Sequence, residues 1–161
     1  MNRNLEFASF PMPPFFRGRE FSPEWVQPDA EGSSRAESGK SVKIIVIDDE
    51  ALIAETVVEI LKQEGFDATF VSSGASAIEL AKTLRPAIVL SDVIMPGMNG
   101  VETGIKIREI VPDCSIILFS GQAATVDLLE QARERGHRFD ILAKPIKPEH
   151  LIGIIRSKLA S

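Results

Sequence analysis

Four polar groups stand at the ends of apolar runs in this chain: Asp48-Asp49-Glu50, Asp92, Ser120 and Lys144-Pro145. Carboxylates drawn together repel one another unless a cation stands between them. A hard divalent ion such as Mg²⁺ suits a few carboxylates, with water and phosphate oxygens completing its shell. Lys144 would add a compact positive charge and Ser120 a hydroxyl, both suited to phosphate oxygens. A carboxylate, Mg²⁺, a lysine and a hydroxyl together describe phosphoryl transfer onto an aspartate.

These groups can cooperate only if the fold brings them to one place. Five short runs rich in β-branched residues qualify as strands buried on both faces: Val42–Ile47, Ala68–Val71, Ala87–Leu90, Ser115–Phe119 and Phe139–Ala143. Between them the apolar period becomes helical. Ile53, Val57, Ile60 and Leu61 share a face, with Gly65 as C-cap; Ala77, Ala81 and Leu84 follow, stopped by Pro86. Val101, Ile105 and Ile110 mark a third helix, and Leu128, Leu129 and Ala132 a fourth that ends at Gly136. Leu151, Ile154, Ile155 and Leu159 form the fifth, which Pro148 opens. Alternating strands and helices predict a doubly wound α/β sheet with right-handed crossovers. In such sheets the chemistry gathers at the carboxyl ends of the strands, where strand order reverses.

The strings Lys43-Ile-Ile-Val-Ile-Asp-Asp-Glu50, Ser91-Asp-Val-Ile-Met-Pro-Gly-Met-Asn-Gly100 and Ala143-Lys-Pro145 resemble the receiver domain of bacterial two-component response regulators. The resemblance runs from Val42 to about Ser161 and implies a flavodoxin-like (βα)5 sheet of strand order 2-1-3-4-5. It implies that Asp92 is the phosphoacceptor and that Asp49 and Asp92 hold Mg²⁺, joined by the backbone carbonyl of Ile94. Asp48 would act through a metal-bound water. Ser120 would bond the phosphoryl group, and Lys144 would pair first with Asp92 and then with phosphate. A cis Lys144–Pro145 peptide is also implied, as is tuning of water attack by the residues at positions 94 and 122, here Ile94 and Gln122. The donor would be a histidine kinase or a phosphotransfer protein, and the output a change in contacts with a downstream protein. On this view the chain is a phosphoacceptor switch rather than an enzyme with turnover, although self-catalysed phosphorylation and dephosphorylation belong to such switches. A phosphorelay intermediate and a phosphorylation-independent adaptor are the alternatives. An aspartyl phosphatase of related fold needs Asp-x-Asp after the first strand, which Asp48-Asp49-Glu50 does not supply.

One position departs from the pattern. The family's switch aromatic, three residues before the lysine, is here Ile141, and Phe139 is the nearest ring that can stand in for it. The simpler readings of the site residues are helix caps for Asp48, Asp49 and Ser120, a turn for Asp92 and a solvated side chain for Lys144. His137 and His150 have no ligand-like neighbours in sequence, and Cys114 reads as packing.

The chain has 161 residues and a formal net charge of −5, an acidic balance that argues against a nucleic-acid grip. It contains no apolar run long enough to span a membrane, and no secretory leader is expected. A single cysteine cannot form an internal disulfide, which fits a reducing compartment, so a cytoplasmic protein is expected. Two regions differ in composition. Residues 1–41 hold six of the ten aromatic residues and five of the ten prolines, but only Leu5 and Val26 among Val, Ile and Leu. They read as a disordered Phe/Pro-rich extension and linker, either dispensable or able to dock aromatic anchors on a partner. Residues 42–161 hold 39 Val, Ile and Leu, ample for one core, and are expected to form a single receiver domain acting by itself.

Overall fold

Ile44, Ile45, Val46 and Ile47 are all fully buried, which requires helices on both sides of the strand that carries them. Successive side chains point to opposite faces. Ile44 and Val46 accordingly join one apolar cluster, and Ile45 and Ile47 join the other. The computed structural model that shows this describes residues 41–121 and 125–161. The expectations for the N-terminal extension and for Gln122 lie outside the described residues.

The elements alternate as expected: β1 (Lys43–Ile47), α1 (Ala51–Gln63), β2 (Asp67–Val71), α2 (Gly74–Leu84), β3 (Ile88–Asp92), α3 (Gly100–Ile110), β4 (Ser115–Ser120), α4 (Thr125–Glu134), β5 (Asp140–Ala143) and α5 (Pro148–Leu159). All strand pairs are parallel and the sheet order is β2-β1-β3-β4-β5, as the sequence implies. One face packs against α1 and α5 through Ala54, Val57, Leu61, Leu151 and Ile155. The other packs against α2, α3 and α4 through Ala77, Ala81, Val101, Ile107 and Ala132.

Helix starts follow the local chemistry. Ser73 caps α2 by accepting a hydrogen bond from the Ser76 N–H at 3.2 Å, and Asn99 caps α3 by accepting from Glu102 at 2.9 Å. Pro148 opens α5, where a missing N–H costs nothing. By contrast the N-cap of α1 is Glu50, which makes no side-chain cap bond, and Asp48 bonds the Glu50 N–H rather than an amide inside the helix. The buried stripe of α1 is also displaced from the expected one. Ala54 and Val58 are buried with Val57 and Leu61, while Ile53 and Ile60 are only partly covered. No described helix is long and apolar enough to cross a membrane.

Candidate functional site

The parallel sheet brings the carboxyl ends of β1, β3, β4 and β5 to one edge, and β1 and β3 flank the point where the connections reverse direction. Asp48 and Asp49 follow β1, Asp92 and Ser120 end β3 and β4, and Lys144 follows β5. The Lys144 N–H donates to the Ser120 carbonyl at 2.8 Å, and the Val93 N–H donates to the Phe119 carbonyl at 3.1 Å. These backbone bonds extend the ladder past the strand ends and fix the spacing of the polar groups beyond it.

Asp48, Asp49 and Asp92 each present one carboxylate oxygen, and the three oxygens lie within 4.8 Å of one another. Their surroundings differ. The Asp48 side chain is 1% exposed and that of Asp92 14%, whereas Asp49 faces solvent. Lys144 Nζ lies 3.2 Å from Asp92 Oδ2 and 3.5 Å from Asp48 Oδ2. The second contact is an attraction between charges at the outer limit of hydrogen bonding, so Asp48 Oδ2 is buried without a hydrogen bond. Asp48 Oδ1 accepts from the Glu50 N–H at 2.9 Å, and Asp92 Oδ1 accepts from the Ile94 N–H at 3.4 Å. Burial alone would pull the Lys144 pKa down, but attraction to Asp92 and then to Asp48 outweighs it and holds the ammonium above its ordinary pKa.

Among the described residues, one cation therefore faces three carboxylates, and one buried carboxylate oxygen lacks a donor. A hard divalent cation fits this donor set, since it would satisfy Asp48 Oδ2 and reduce the repulsion. Asp48, Asp49 and Asp92 are the residues able to hold it.

Gly100 is required by close approach. A β-carbon there would fall 2.0 Å from the Asp92 carbonyl oxygen, so any larger residue would push the end of β3 out of position. Ser91 Oγ donates to the same carbonyl at 2.9 Å. The Lys144–Pro145 peptide is cis, as the resemblance implies.

Ser120 Oγ and Thr125 Oγ1 are hydrogen-bonded at 2.5 Å. Thr125 was not visible as a site residue in the sequence, because a threonine at a helix start is ordinary capping chemistry. Ile141 is 47% exposed on β5. Phe139 does not take its place. It precedes β5 at the end of the strand away from Lys144, with the Arg108 guanidinium 4.8 Å from its ring centroid and Gly104 against its edge. His137 and His150 lie outside the acidic cluster, and Cys114 is buried just before β4.

A five-stranded parallel sheet with an acidic cluster and a lysine at its switch point defines a class of phosphoacceptor switch. The comparisons agree. The family described as the response regulator receiver domain matches residues 44–156, and the chain belongs to that family. Among curated relatives, the DNA-binding response regulator MtrA of Mycolicibacterium paratuberculosis is 32% identical over 120 residues, covering 73% of this chain and 51% of MtrA. The chain thus spans about half the length of that relative. The chemotaxis protein CheY of Thermotoga maritima is 30% identical over 111 residues, covering 68% of this chain and 91% of CheY. A response regulator receiver domain from Clostridium thermocellum superposes with a TM-score of 0.64 at 27% identity, covering 74% of this chain and 99% of that one.

Proposed function

We propose that the chain accepts a phosphoryl group on Asp92 from a phosphohistidine on a histidine kinase or phosphotransfer protein, in a Mg²⁺-dependent reaction. The observation that supports this most directly is the placement of Lys144 Nζ between Asp92 Oδ2 and the buried, donor-less Asp48 Oδ2. In the transfer, an Asp92 carboxylate oxygen forms the new P–O bond as the P–N bond to the donor imidazole breaks and the imidazole leaves with the electron pair. Lys144 would first hold Asp92 in place and then meet the negative charge gathered on the phosphoryl oxygens. Ser120 would donate its hydroxyl proton to one of those oxygens. Mg²⁺, held by Asp48, Asp49 and Asp92 with the Ile94 carbonyl, would supply electrostatic stabilisation of the same oxygens. The docking surface for the donor would be the apolar groove beside Lys144, lined by Leu52, Ile53, Thr56, Pro145, Pro148 and Leu151.

The output we propose is a shift between two arrangements of the loops around the site, read by another protein. In this reading residues 42–161 are the receiver, residues 1–41 are a separate extension, and the setting is the bacterial cytoplasm. Incubation of the full chain with acetyl phosphate and Mg²⁺ tests the proposal. The expected result is one added phosphoryl group, abolished by chelation and by Asp92→Asn. A folded wild-type chain that stays unmodified and binds no beryllofluoride would favour the adaptor instead, a role with which the exposed Ile141 is compatible.

A further inference from the structure

We propose that Thr125 is a positioning residue: it holds the Ser120 hydroxyl in the resting protein and passes the state of the site to α4. This inference rests on the functional reading above, in which Ser120 bonds the phosphoryl group. The two side-chain oxygens stand 2.5 Å apart, at the short limit for a hydroxyl pair. The Ser120 carbonyl accepts from the Lys144 N–H, so the serine backbone is held beside Lys144. Thr125 is the first residue of α4 and is 3% exposed. The other buried residue of that helix is Ala132, while Leu128 and Leu129 are only partly covered. Thr125 is therefore one of two buried points that fix α4 to the fold, and it is the one nearest the site.

An anionic phosphoryl oxygen is a stronger acceptor than a neutral hydroxyl, with charge-assisted bonds roughly twice as strong. Either hydroxyl of the resting pair can donate, and for Ser120 to reach a phosphoryl oxygen on Asp92 its hydroxyl must turn away from Thr125. Thr125 loses that bond, and the start of α4 repacks. Among the described residues no aromatic side chain is placed to do this. Ile141 has no ring, and Phe139 is held at the opposite end of β5. Among the described residues, the hydroxyl pair is a direct link from the site to α4. Because the coupling is reciprocal, weakening the resting bond must favour the phosphorylated arrangement.

The test is a titration of the full chain with beryllofluoride in the presence of Mg²⁺, followed by NMR. Thr125→Val is expected to bind beryllofluoride about fivefold more tightly, the factor that follows from releasing one ordinary hydrogen bond, and to show smaller shifts along α4. Thr125→Ser keeps the hydroxyl and is expected to restore both wild-type affinity and wild-type shifts. In the unmutated chain, the Thr125 methyl resonance is expected to move as the Ile94 amide does. Equal affinity and equal α4 shifts in wild type and Thr125→Val would overturn the inference. So would a Thr125 methyl resonance that stays fixed while the Ile94 amide shifts to saturation. Failure of the folded wild-type chain to bind beryllofluoride would instead overturn the assignment of Asp92, and this inference with it.

Discussion

Asp48 and Asp49 are neighbours in sequence, yet one is sealed within the protein and the other faces solvent. Alternation at the strand end makes that difference, and it divides their work. Asp48 is held in place by the Glu50 N–H and the Lys144 charge, while Asp49 is placed to take a cation from solution. Without a cation, Asp49 chiefly adds repulsion. Asp49→Asn is therefore expected to raise the melting temperature in chelator by roughly 4 °C, equivalent to about 1 kcal/mol for a domain of this size. It is also expected to lose most of the further rise that Mg²⁺ gives the wild type by mass action. Thermal unfolding with and without Mg²⁺ checks both, and a lower melting temperature in chelator would contradict the repulsion argument. Cys114 makes a second prediction. Burial pushes its thiol up to about 12 from an ordinary 9.0, partly offset by the nearby Arg108. Between those values the unfolded chain has already lost a proton that the folded chain keeps. This group's share of stability is present below about pH 9 and is lost as pH rises toward 12. Urea unfolding at about pH 8 and pH 10.5 is expected to show a larger loss for wild type than for Cys114→Ala, and at pH 8 the native thiol is expected to resist thiol reagents. The residue types of the site were legible in sequence because each stands where an apolar run stops. The pairing of Ser120 with Thr125 was not, since it depends on how the first turn of α4 meets β4.

At the scale of the elements, strand positions were readable because runs buried on both faces leave an unbroken apolar signal, and all five lie within about two residues of their expected bounds. Helix faces were less so. In α1 the small Ala54 and the Val58 side chain take the inner positions, displacing Ile53 and Ile60 to the edge of the stripe, because a helix lying close on a sheet favours small residues at the line of contact. The contact between α2 and α3 makes the same demand more sharply. A β-carbon at Gly74 would fall 2.2 Å from Thr103 Oγ1, and Thr103 is fully buried. Alanine would gain up to about 1 kcal/mol in helix propensity at most. Forcing the helices apart would cost about 1–3 kcal/mol. Gly74→Ala is thus expected to destabilise the domain by about 1–2 kcal/mol in denaturant unfolding. Stabilisation would show that the α2–α3 contact has room for a β-carbon at position 74.

Over the whole molecule, the acidic balance of the chain acquires a location. Three carboxylates stand at the reversal point of the sheet, Lys144 alone among the described cations stands in salt-bridge contact with them, and a buried oxygen of Asp48 awaits a donor. The sheet order, the family and the gathering of the site residues at one edge were all legible from three short strings of sequence. The path by which the site changes the outer surface was not, because the family's usual aromatic position holds Ile141 and Phe139 lies under Arg108 instead. The central claim is that Asp92 carries the phosphoryl group. The most direct measurement is borohydride trapping of the full chain after treatment with acetyl phosphate and Mg²⁺, followed by peptide mass spectrometry to locate the reduced residue. Reduction at Asp92 alone is expected; a label on Asp48, Asp49 or any other residue, with Asp92 unmodified, would contradict it.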